Sequence, residues 1–159
     1  MFKIGDKIVY PMHGAGVIKG IETKDFLGKE KKYYIFEMPI GNLSISIPMN
    51  NIDNMNVRNI ITKEEGKQVI DILNSKPSEM TSNWSQRYRE NQEIIKTGDA
   101  FKIAEIVRNL IHYDKEKGLS TTEKKLLNQA RRIIASELVM SGAITRQKAE
   151  EIIDESTGL

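Results

Sequence analysis

The order of hydrophobic and polar residues divides the chain near residue 60. Before that point β-branched and aromatic residues cluster in short runs broken by glycine and proline, the signature of strands. These runs cover residues 7–10, 16–23, 31–38 and 43–47. In the last, Leu43, Ile45 and Ile47 alternate with Ser44 and Ser46, a period of two that fits a strand with one buried face. Pro48 stops it. The stretch from Lys24 to Lys29 carries Gly28 and reads as the turn of a hairpin joining two longer runs. Four or five such strands predict a small SH3-like or Tudor-like β-barrel over residues 1–60.

Past Ile61 the period becomes helical. Thr62 and Glu65 have capping-box spacing, and Val69, Ile70 and Leu73 form an apolar face that runs to the break at Ser75-Lys76-Pro77-Ser78. A second helix is expected to start near Ser82 or Asn83 and to end before Gly98. Asp99 suits the N-cap of a third, with Ile103, Ile106, Val107, Leu110 and Ile111 on one stripe and Gly118 at its end. Ser120 and Glu123 form another capping-box pair ahead of Leu126, Leu127, Ala130, Ile133, Ile134, Leu138 and Val139. Gly142 closes that helix. Thr145 is expected to cap a last one containing Ala149, Ile152 and Ile153. The prediction for residues 61–159 is a five-helix bundle, giving an α+β protein. The junction around residues 57–62 is too short for a flexible linker, so the halves are expected to hold a fixed relation.

Composition narrows the functional classes. The chain has no cysteine, which removes disulfides, thiolate zinc sites and cysteine nucleophiles and suits a reducing compartment. No apolar run approaches the roughly 18 residues of a membrane span, and no signal-peptide pattern opens the chain, so a cytoplasmic protein without membrane contact is expected. A net charge of +2 is too small to mark a nucleic-acid binder by itself. Its distribution is more informative. Between Gly118 and Arg146 five basic residues face two acids, whereas an acidic tail follows from Gln147.

Candidate chemistry is sparse. His13-Gly14-Ala15-Gly16 is similar to a phosphate-binding loop only in its glycines, since Val17-Ile18 stand where lysine and a hydroxyl residue are needed. It reads as a turn. His13 and His112 are the only histidines, and no nucleophile has a visible base and orienter. The chain is therefore read as a non-enzyme, with no catalytic residue, metal or cofactor.

The segment Asn83-Trp84-Ser85-Gln86-Arg87-Tyr88-Arg89 differs, because it places the only tryptophan, a tyrosine and two arginines within two helical turns. Rings and guanidinium groups together suit nucleic-acid contact or a protein interface. On a helical wheel Trp84, Tyr88 and Ile95 share a stripe, which by itself reads as core. Trp84 sits in the first turn, however, with polar Arg87 and Asn91 nearby on the wheel. Lys124, Lys125, Arg131 and Arg132 suit either phosphate contacts or the solvated side of an amphipathic helix.

Three blocks in order resemble CarD/CdnL-type bacterial transcription regulators. They are Gly5-Asp6-Lys7-Ile8-Val9-Tyr10-Pro11-Met12-His13-Gly14, the Asn83 to Arg89 segment, and Gly118-Leu119-Ser120-Thr121-Thr122-Glu123-Lys124-Lys125-Leu126-Leu127-Asn128-Gln129-Ala130-Arg131. The first block is also similar to the polymerase-binding module of transcription-repair coupling factors. The resemblance spans essentially the whole chain.

It implies that the barrel binds the RNA polymerase β subunit, and that the helical half touches promoter DNA at the upstream edge of the transcription bubble. Trp84 is then a minor-groove wedge that stabilises the open complex. Arg87, Tyr88, Arg89, Lys124, Lys125, Arg131 and Arg132 are the further DNA candidates. Lys24 with Leu43, Ser44, Ile45, Ser46 and Ile47 are the polymerase candidates. Some relatives carry arginine in place of Gln86 and of Ser46, which shifts weight toward backbone pairing along the 43–47 edge. The protein is expected to be a monomer that reaches the nucleoid through polymerase. The alternative from another class is a protein-interaction adaptor without DNA contact, with Trp84 as an interface anchor or core residue.

Overall fold

The computed structural model describes residues 2–153. Met1 and residues 154–159, including Asp154 and Glu155 of the acidic tail, lie outside the described residues. Strands β1 (Lys7–Tyr10), β2 (Gly14–Phe26), β3 (Lys29–Met38), β4 (Leu43–Pro48) and β5 (Arg58–Asn59) form one antiparallel sheet in the order β4-β3-β2-β1-β5. The ladder has β4 and β5 at its two edges, so the observed unit is a five-stranded sheet; the closed barrel expected from the sequence goes further than this pairing. A 3-10 helix, Met49–Asn54, and the two-residue β5 were not anticipated. Both lack the length that makes periodicity visible.

The hairpin is longer than its sequence suggests. Lys24 pairs with Lys31 and Phe26 with Lys29, which leaves only Leu27 and Gly28 for the turn. Both have positive φ, 53° and 77°, as a two-residue hairpin turn with the right twist requires. The expected alternation along β4 appears in the register but only partly in burial: Leu43 is 50% exposed, Ile45 and Ser46 are both partly covered, and Ile47 alone is fully buried. Leu43, Ile45 and Ile47 lie opposite Met38, Phe36 and Tyr34, and Tyr34, Phe36 and Ile47 join Ile8 and Ile18 in a core under the sheet.

Five helices follow: α1 (Lys63–Leu73), α2 (Trp84–Thr97), α3 (Ala100–Glu116), α4 (Thr121–Ser141) and α5 (Arg146–Ile153). Their starts obey the capping residues. Thr62 and Glu65 form the reciprocal box, Asn83 accepts from the Gln86 amide, and Asp99 accepts from Phe101 and Lys102. Helices α2 and α4 end on Gly98 and Gly142 in the left-handed conformation. Ile95, Ile103, Val107, Leu110, Ala130, Ile134 and Leu138 pack into a second core.

The halves are joined by specific polar contacts. The Ala15 amide donates to Ser136 Oγ (2.9 Å) and Gln129 Nε2 to the Met12 carbonyl (2.9 Å). Gly14, with φ of 118°, lies against the same serine; a Cβ there would meet Ser136 Oγ at 2.7 Å. The strongest tie is Arg58. Its Nη1 and Nη2 donate to the two carboxylate oxygens of Glu137 (2.6 and 2.8 Å), and Nε donates to the Gly98 carbonyl at 2.9 Å. Glu137, 1% exposed, also accepts from the Ile61 amide. One side chain thereby fixes β5, the α2–α3 turn and α4.

Glu137→Ala would leave Arg58 and the Ile61 amide without their acceptor. The expected cost is about 2–4 kcal/mol, seen as a lowered thermal midpoint and faster proteolytic cleavage at residues 57–62. An unchanged midpoint would show that the junction does not rely on this carboxylate.

Candidate nucleic-acid interface

Trp84 opens α2 and is 53% exposed, although it occupies the stripe that also carries half-buried Tyr88 and fully buried Ile95. The reason is its position. Side chains of a first turn lean back toward the helix start, beyond the neighbouring helices. The polar neighbours that argued for exposure are themselves inside: Arg87 is 3% and Asn91 7% exposed. The first-turn argument for an exposed Trp84 therefore holds, while the reason drawn from the wheel does not.

Arg87 is corrected from a phosphate contact to a buried anchor. Its Nε and Nη2 donate to Glu123 at 2.9 and 2.7 Å, Nη1 donates to the Thr81 carbonyl at 3.0 Å, and its guanidinium lies 4.0 Å from the centre of the Tyr113 ring. The hydrogen bond to Glu123 raises the Arg87 pKa above its ordinary value, against the opposing effect of burial. With its donors turned inward the group cannot reach DNA. Arg131 is corrected likewise. It is 4% exposed and donates to the Ile152 carbonyl, so it holds α5 onto α4.

Glu123 shows what the sequence concealed. It occupies the N3 position after Ser120, whose hydroxyl accepts its amide, but its carboxylate oxygens turn to Arg87 instead of completing the capping box. A capping glutamate and an ion-pair glutamate look identical along a sequence. Tyr113 and Thr81 were missed for the same reason, since their roles come from tertiary contact alone.

The Arg87–Glu123 pair brings the first turns of α2 and α4 together. Trp84 lies one turn before Arg87, and exposed Lys124 and Lys125 directly follow Glu123. Exposed Arg89 completes the basic residues of this end, and Lys117 leans over Tyr113, 5.4 Å from its centre. Two helix N-termini with their positive dipole ends meet here, and Lys124, Lys125 and Arg89 make no ion pair among the described residues. Gln86 is held by Glu90 (2.9 Å) on the exposed side of α2. Arg132 is exposed but lies elsewhere, two turns along α4 from Lys124, beside Leu43 and His13 at the junction with the sheet.

On the sheet, Lys24 donates to Ser46 Oγ (3.3 Å) and sits 5.3 Å from the Tyr33 ring centre. Lys24 and Ser44 are exposed and Leu43 is half-exposed, Ile45 and Ser46 are partly covered, and the Ile47 side chain is fully buried. The Ile47 side chain is thus part of the core, which leaves only its backbone at the β4 edge. Among the described residues no cluster of metal-ligating side chains occurs, and no helix is long and apolar enough to cross a membrane.

Residues 2–61 match the CarD-like/TRCF RID domain, and residues 68–154 match the CarD C-terminal domain. The chain belongs to the CarD family. It is also similar to the putative transcription factor YdeB of Bacillus subtilis, 41% identical over 148 residues, 93% of this chain and 97% of that protein. This family member therefore combines an edge-exposed sheet with a helical end built around Trp84.

Removing one partner of the buried pair leaves the other charge desolvated, so Arg87→Ala is expected to cost about 3–5 kcal/mol in denaturant unfolding. Lys124→Ala, on the exposed face, is expected to change stability by no more than about 0.5 kcal/mol. Trp84 emission should be red-shifted and readily quenched by acrylamide in the native protein. A blue-shifted, protected emission would contradict its exposure.

Proposed function

We propose that this protein is a transcription regulator without catalytic activity that binds RNA polymerase through its sheet and stabilises the open promoter complex through Trp84. Family membership supports the coarse reading, and the half-exposed indole on a clamped helix start carries the finer one. A ring inserted at the upstream fork offsets part of the few kcal/mol lost when a base step unstacks. A wedge of this kind must be rigid. Arg87 and Glu123 supply that rigidity, while Lys124, Lys125 and Arg89 face the phosphates on either side.

The polymerase contact is assigned to the β subunit through Lys24 and the free edge of β4, where an added strand takes up backbone hydrogen bonds. Few exposed cations surround Trp84, so free duplex is bound weakly and attachment to polymerase supplies the local concentration. In this reading the protein acts as a monomer and reaches the nucleoid with polymerase.

Trp84→Ala is expected to shorten open-complex lifetime severalfold while polymerase affinity and thermal midpoint stay near those of the parent. Unchanged lifetimes at saturating protein would remove the wedge role. Lys124→Ala combined with Lys125→Ala should shorten the lifetime less and flatten its salt dependence by about two phosphate contacts. An adaptor acting only through protein contacts would show neither effect.

A further inference from the structure

A groove between the sheet and α4 is made jointly by the two halves. Met12, Met38, Ile40 and Leu43 give it apolar walls, and His13 and Arg132 stand among its lining; its volume is about 250 Å³. That lies below the roughly 300–1,000 Å³ of small-molecule sites. It suits a single side chain entering from a bound polypeptide.

The groove is continuous with the edge of β4 through Leu43, the first residue of that strand, which is 50% exposed. Its backbone frame is held in place by unusual geometry. Met12 has φ of 74°, a left-handed conformation that an unbranched apolar residue rarely adopts, and Gln129 of α4 holds its carbonyl at 2.9 Å. Such outliers persist where the surroundings over-determine them, often at ligand clamps. No lining residue is acidic, and exposed Arg132 makes no ion pair among the described residues. A carboxylate beside an apolar group is the complementary chemistry.

We infer that this groove receives an apolar side chain of an extended RNA polymerase segment paired on β4, with a neighbouring carboxylate of that segment bound by Arg132. The inference rests on the polymerase-binding reading above. It moves Arg132 from the DNA contacts, where the sequence put it, to the polymerase contacts. Because one wall of the groove is α4, the partner then bridges both halves of the protein.

The experiment measures binding of the full chain to core RNA polymerase by surface plasmon resonance, together with open-complex lifetimes at saturating protein. Arg132→Glu and Leu43→Glu are compared with the parent and with Lys102→Glu, an exposed residue on α3. Both groove variants should weaken polymerase binding about tenfold, with Lys102→Glu within about twofold of the parent. Lifetimes measured at saturation should be unaltered.

If the parent binds but both groove variants stay within about twofold, the groove is not a docking site and the polymerase reading survives. If Arg132→Glu leaves affinity unchanged yet shortens the lifetime, Arg132 contacts DNA and the inference is overturned. Failure of the parent itself to bind core enzyme overturns the polymerase reading instead. Arg132 is exposed and Leu43 half-exposed, so neither substitution opens the core; matching thermal midpoints check this.

Discussion

Helix α4 buries two carboxylates, and a carboxylate without solvent must have a partner. Glu123 takes Arg87 from α2, and Glu137 takes Arg58 from the edge of the sheet. Each pair is bidentate, and each arginine spends its remaining donors on backbone carbonyls, Thr81 in one case and Gly98 in the other. These two requirements fix where α2 starts and where the sheet sits. The apolar cores supply the driving force, but apolar burial is tolerant of small slides and rotations. Forked ion pairs are not.

Much of the fold could be read along the chain because it is written in local signals. The serine and isoleucine alternation of β4, the caps at Thr62, Asn83, Asp99 and Ser120, and the glycines after α2 and α4 all act within a few residues of themselves. The hairpin length was underestimated because residues 21–32 are exposed on both faces, so no buried stripe marks them as strand. Strand β5 was invisible for a different reason: two residues carry no period, and Arg58, which pairs with Val9, is anchored by Glu137 and Gly98 from distant parts of the chain.

The candidate site was legible only in part. The helical stripe alone read Trp84 as core; its first-turn position and the family-like segment around it pointed to the surface. Arg87 and Arg131 misled because charge in a sequence suggests solvent, whereas an arginine can be buried when a carboxylate or carbonyl meets its fork. Partners that bury them lie far along the chain: Glu123 is 36 residues from Arg87, and the Ile152 carbonyl is 21 residues from Arg131. Arg132 shows the complementary limit. It adjoins Arg131, but the helical turn sends it to the junction with the sheet.

The spacing of the two buried glutamates has an evolutionary consequence. Glu123 and Glu137 are fourteen residues apart, which on a helix is about 21 Å and returns to within about 40° of the same direction. α4 is thus a ruler of fixed length between the sheet and the indole. Adding or deleting one residue would swing one end by about 100° relative to the other, so length can drift only in steps that restore both directions together. This helix is thereby constrained to change as a unit.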